Sequence, residues 1–167
     1  MILLKISEIQ KAMAHLLIRD AFDECYLEQA EVLTFAKLTM QGGRNPNWYD
    51  EAPADDRVRW KECKPTIFTY IKGDRTPTMM RISLKASAEF AEKLLENSGV
   101  YDLYLQEKPM LQLQFRYEKQ ELVFVTGITH AEFTMDKRIE FAWDAAVEQY
   151  VRSLGVGQNE DKNLYYM

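Results

Sequence analysis

Few side chains in this sequence could carry chemistry, and their spacing argues against most of it. The chain holds two histidines, His15 and His130, and two cysteines, Cys25 and Cys63. A zinc site needs His and Cys at short, defined separations, and neither HxH, HExxH nor CxxC occurs, so no metal and no cofactor is expected. Nucleophilic catalysis would need Cys25 or Cys63 beside His130. Cys25 lies in an apolar strand-like run and Cys63 follows Trp60 at a segment edge, so both thiols read as structural and no catalytic residue is expected. An enzyme would require a concave site that gathers His130, Asp136 or Lys72 within hydrogen-bonding reach. Asp50, Glu51, Asp55 and Asp56 lack the alternating oxygens and turn glycine of a calcium loop and read as a solvated segment. Lys72-Gly73-Asp74-Arg75 lacks the spacing of a phosphate loop and reads as a turn.

Binding candidates are more numerous. Lys11, His15 and Arg19 recur every four residues on the polar side of the first expected helix, with Lys5 just ahead, a pattern that could contact nucleic-acid phosphates. The matching second helix carries Glu89, Glu92 and Glu96, which would repel the same backbone. A net charge of -5 also speaks against a protein that coats nucleic acid. Trp48 and Tyr49 lie in a turn-rich loop, where they either anchor a partner or fold back as a lid. Met79, Met80 and Met110 suit core packing and carry no functional weight.

The elements that must position these groups can be read from periodicity. With 167 residues, 47% of them apolar, one core closes where two would each be small, so residues 1–155 form one expected domain. Ile2, Leu4 and Ile6 alternate as a strand, and Ser7 with Gln10 forms a capping-box signal for a helix that buries Ile9, Ala12, Met13, Leu16 and Leu17. A β-favouring run spans Cys25 to Met40, and a loop spans Gly43 to Arg59. Thr66–Ile71 reads as a strand by composition, with a helix over Trp60–Ile71 as the competitor. A strand over Met79–Leu84 and a Ser87-capped helix ending at Asn97-Ser98-Gly99 follow. Strands are then expected at Val100–Leu105, Met110–Tyr117 and Leu122–Thr126, with an extended piece over Ile128–Thr134. Asp136 caps an amphipathic helix over 137–154, and 156–167 reads as a flexible tail.

A shift of 78 positions lays Leu16-Leu17 on Leu94-Leu95, Tyr26-Leu27 on Tyr104-Leu105, and the first strand on Met80, Ile82 and Leu84. The expected fold is therefore α+β: a mainly antiparallel sheet from two β-α-β-β(-β) repeats, with halves at about 1–72 and 78–134, plus the C-terminal helix. That layout resembles one domain of the DNA processivity clamps, a likeness of arrangement that carries no function. The stretches Trp60-Lys61-Glu62-Cys63-Lys64-Pro65, Ile71-Lys72-Gly73-Asp74-Arg75-Thr76-Pro77 and Phe133-Thr134-Met135-Asp136-Lys137, with Ala142-Trp143-Asp144, resemble an uncharacterised family of hypothetical proteins from anaerobic Gram-positive bacteria. The likeness covers nearly the whole chain and implies a bacterial origin, with no activity, cofactor or catalytic residue attached to it.

These readings converge on a non-enzymatic binding or scaffold protein that self-associates or binds another protein. A clamp-like nucleic-acid-associated protein and a small-molecule enzyme are the alternatives. Two cysteines and no secretory leader fit a cytoplasmic location, and no apolar run is long enough for a membrane span.

Overall fold

The computed structural model describes residues 1–160, and its frame is a seven-stranded antiparallel sheet in the order β3-β2-β4-β5-β6-β1-β7. In chain order the elements are β1 (Leu3–Ile6), α1 (Ile9–Leu17), β2 (Tyr26–Leu33), β3 (Lys37–Gln41), α2 (Trp60–Ile71), β4 (Met79–Lys85), α3 (Ala88–Leu95), α4 (Tyr101–Glu107), β5 (Met110–Glu118), β6 (Glu121–Thr129), α5 (Arg138–Ser153) and β7 (Gln158–Glu160). The α+β class and the antiparallel sheet are as the sequence leads one to expect.

Alternation along the strands divides the sheet into a dry and a wet face. Leu4, Ile6, Leu27, Ala30, Val32, Met80, Ile82, Leu84, Leu111, Leu113, Phe115, Leu122 and Phe124 are buried in one cluster with Leu16, Trp60, Ile67, Phe90, Trp143 and Val147 from the helices. The other face is polar, the usual state of an antiparallel sheet covered on one side. There Gln112 donates to the Glu28 carboxylate at 3.0 Å and Gln114 to Ser83 Oγ at 2.8 Å, while Arg81 stands opposite Arg116.

Local chemistry explains the boundaries. Ser87 Oγ accepts the N–H of Phe90 and starts α3, and Gly99 closes the helical turns after it at φ 81°. Asp136 accepts the N–H of Arg138 at the start of α5. Lys119 and Gln120, at φ 53° and 63°, form the two-residue turn between β5 and β6, in the left-handed geometry that matches strand twist.

Several expectations are corrected. The expected strand at Val100–Leu105 is instead helix α4 from Tyr101 onward, because β4 and β5 pair directly over their length and leave no gap for another strand. Tyr101 and Tyr104 then stack one helical turn apart, with ring centroids 6.1 Å apart. Thr66–Ile71 is the second half of α2, whose Trp60, Cys63 and Ile67 make a buried helical stripe that outweighs β-branched composition. The extended piece at Ile128–Thr134 ends at Thr129, where β6 loses its partner. The Ser7/Gln10 capping box does not form. The N–H groups of Ser7 and Glu8 instead donate to the carbonyls of Gly157 and Val156, at 2.8 and 2.9 Å. Residues 156–160 are accordingly no loose tail: Val156 is buried and β7 pairs with β1, while 161–167 lie outside the described residues.

The 78-residue register holds through one strand and one helix, placing β1 on β4 and α1 on α3. It then lapses, because Tyr26–Leu33 is strand and Tyr104 lies in α4. β1 is further tied down by polar contacts: Thr126 Oγ1 accepts the Ile2 N–H and donates to buried Asp144, which lies 2.9 Å from the Met1 amino group.

Gly42 marks the point where β3 leaves β2 and the chain turns to run back past Leu27. A Cβ there would fall 1.6 Å from the Leu27 carbonyl oxygen, a backbone atom that cannot move aside. We expect Gly42→Ala to lower unfolding free energy by about 3 kcal/mol or more in urea denaturation, well beyond the typical point substitution.

Candidate binding site

The site begins with the pairing of α1 and α2. Trp60, the first residue of α2, is fully buried and donates its indole N–H to the Leu16 carbonyl at 2.7 Å. That carbonyl lies in the last turn of α1, where backbone acceptors have no intrahelical donor, so the indole satisfies a group that burial would otherwise penalise. Lys64, one turn further along α2, donates to the Arg19 carbonyl at 2.7 Å and pairs with the Asp23 carboxylate. The two helices are thereby pinned together at one end.

Beyond the pin they leave a groove of about 270 Å³. One wall is the Ile9–Met13–Leu17 edge of α1 with Ala14 and Ile18, and the other is Phe68 and Ile71 of α2. Pro77 closes one side, and Met80 and Tyr117, cross-strand partners on β4 and β5, form the floor. Polar character is confined to Gln10, Thr76 and the tyrosine. An apolar concavity with a few polar groups at its rim is the usual form of a small-molecule site.

A second, polar cleft of about 540 Å³ adjoins it and shares Ile71 and Thr76 as lining. Its wall is the turn Lys72-Gly73-Asp74-Arg75, which follows α2, and its far side is Thr34, Phe35, Tyr70 and Thr78. Tyr70 donates to the Ala36 carbonyl at 2.5 Å and lies 5.9 Å from the ring of Phe35, which fixes the β2–β3 turn against the end of α2. Thr34 Oγ1 is buried without a hydrogen-bond partner among the described residues.

Apart from Lys72, which lines the polar cleft, the sequence candidates fall elsewhere. Lys5 projects from the open face of the sheet, since its neighbours Leu4 and Ile6 enter the core. Lys11 and His15 ride on α1 and Arg19 follows just past its end, in the helical layer on the opposite face, so the four do not form one surface. Lys11 Nζ and His15 lie against Gly155 and the Leu154 backbone at the carboxyl end of α5, where positive groups are electrostatically favoured. Trp48 is 82% exposed, whereas Tyr49 folds back and accepts a hydrogen bond from Arg44 at 2.9 Å. Arg44 is itself bidentate to Glu62 at 2.9 Å and Arg59 reaches Glu24, Asp55 and Glu89, so the long loop is tied to α2 and α3 by charge.

His130 and Asp136 lie beyond the end of β6 that pairs with Met110, while Lys72 precedes β4, whose start pairs with the far end of β5. The length of β5 separates them, roughly 30 Å at strand rise. Asp136 is held by Arg138 at 2.7 Å, which brings its carboxyl down to about 2. Burial raises both thiols, Cys63 to about 12 and Cys25 further, so neither supplies thiolate near neutrality. Among the described residues no three His, Cys, Asp or Glu side chains cluster as metal ligands, and no helix is long and apolar enough to cross a membrane.

Sequence reasoning missed the groove because its walls read as core: Ile9, Met13, Leu17 and Met80 have helical or strand periodicity whether or not a partner fills the space above them. The one local signal was the pair of cations, Lys72 and Arg75, in a turn directly after an amphipathic helix.

A family model described as a family of unknown function (DUF5721) matches residues 15–157. No curated protein and no solved structure matches the chain.

Burial first, and then the charges of Arg19 and Lys11, push His15 below its ordinary value against an opposing contact with Leu154. The fold therefore favours neutral imidazole, and the unfolded chain binds the proton more readily. Stability from this group is complete above the unfolded value of 6.5 and is lost as pH falls through it toward the lower folded value. Thermal or urea unfolding between about pH 7.5 and about pH 5.5 should show a steeper loss for the wild type than for His15→Gln.

Proposed function

We infer that this chain, which belongs to the DUF5721 family, is a non-enzymatic binding protein whose ligand places an apolar group in the groove between α1 and α2. The observation that carries this reading is the groove itself: apolar walls from two helices, a floor of Met80 and Tyr117, and an open mouth. Aliphatic groups that enter it leave water at about 0.8 kcal/mol per methylene, enough for useful affinity from a short chain. Methionines at 13 and 80 suit such a role because their flexible thioethers repack around different shapes. Catalysis gains no comparable support, since His130 and Asp136 stand apart from Lys72 and the two thiols are held protonated.

Binding of the fluorescent apolar probe N-phenyl-1-naphthylamine tests the reading. Wild-type protein should enhance its emission saturably. Ala14→Phe, which puts a ring into the groove from a partly exposed helical position, should weaken binding by about tenfold or more. Its circular dichroism and melting midpoint should stay close to wild type. Equal binding by a folded Ala14→Phe protein would sink the proposal.

A further inference from the structure

Resting on that groove reading, the geometry points to a specific ligand class: a single-chain amphiphile with an anionic head, whose alkyl chain fills the groove and whose head sits among Lys72, Arg75 and Thr34. The two cavities adjoin, because Ile71 and Thr76 line both. A ligand that spans them must be apolar at one end and polar at the other. The polar end faces cations. Lys72 and Arg75 both line the cleft, and among the described residues neither forms an ion pair.

Two opposing charges act on the same space. Asp74 lines the cleft, and the carboxyl end of α2 brings the negative pole of a helix, equivalent to about half a charge. Against the two cations, Asp74 leaves one net positive charge, and the helix pole removes about half of that. The balance favours an anion over a neutral or cationic head, by a margin that salt will screen. Hydrogen-bonding capacity is also waiting: the buried Thr34 hydroxyl has no partner among the described residues, and a carboxylate or phosphate oxygen would accept from it. Thr78 Oγ1 donates its proton to the Leu33 carbonyl at 3.2 Å, so its lone pairs can only accept, from water, and it offers nothing to an anion.

Isothermal titration calorimetry on the full chain, with ligands below their micellar concentrations, separates the possibilities. The ligands are decanoate, decyl phosphate, decan-1-ol and decyltrimethylammonium. At least one anion should bind on the order of tenfold more tightly than the alcohol, with the cation weakest, and salt should weaken only the anions. Shortening the anion by one methylene should raise Kd about fourfold. A Lys72→Gln/Arg75→Gln double variant, changed only at exposed positions, should bring the anion to the alcohol's affinity or below it, because Asp74 and the helix pole remain, and leave the alcohol unaffected. A preference for decanoate or for decyl phosphate identifies the head as carboxylate or phosphate, and either supports the assignment. If the alcohol binds as well as both anions, or the double variant binds the anions undiminished, the head assignment is wrong while the groove stands. If none of the four binds, both readings fall together.

Discussion

The hydrogen bond from the Trp60 indole to the Leu16 carbonyl is the contact on which the helical layer depends. It sits where three demands meet: the last turn of α1 needs a donor, the first residue of α2 needs a buried place for a large ring, and the sheet needs its apolar face covered. Because one side chain answers all three, α2 is fixed relative to α1 at a single end. The other end is left to side-chain packing alone, and there the two helices and the sheet leave space unfilled. A groove beside a pinned helix pair is thus a consequence of where the strong contact lies.

Charge performs a similar service for the long loop between β3 and α2. Its composition is acidic and turn-rich, yet Arg44 and Arg59 draw it against Glu62, Glu24, Asp55 and Glu89. Glu62 also accepts the Arg59 backbone N–H at 2.7 Å, so the same carboxylate caps α2 and anchors the loop. Its carboxyl is held below the ordinary range, first by the Arg44 hydrogen bonds, so acid conditions release the loop and the start of α2 together. The half-buried, bidentate geometry of Arg44 is the arrangement in which an arginine–carboxylate pair is strongest.

Much of the fold was legible in the chain. The Ser87 cap, the alternating runs of β4, β5 and β6, and the apolar stripe of α5 follow from local pattern, and the structure contains each. The errors share a cause. Val100–Leu105 and Thr66–Ile71 have β-type composition, and only the pairing of β4 with β5, or the burial of Trp60, Cys63 and Ile67 on one helical face, decides otherwise. Such facts are tertiary. The site was hidden for a related reason: Ile9, Met13 and Phe68 look the same to periodicity whether a neighbour covers them or not, and a void leaves no trace in sequence. Lys5 and Lys11 show a related effect, since they are close in sequence and the strand-to-helix turn sends them to different faces.

β1 has sequence-distant neighbours on both sides: β6 at 121–129 and β7 at 158–160. During synthesis the first strand and the α1 start, whose N–H groups await Val156 and Gly157, must stay unpaired while more than a hundred further residues are made. At ribosomal rates that is on the order of 10 s of exposure for an apolar strand. The sheet therefore cannot grow outward from its first element. The hairpins β2–β3 and β5–β6 can close from neighbouring chain, whereas β1 waits for β6 and β7, so that the earliest strand is among the last to be enclosed.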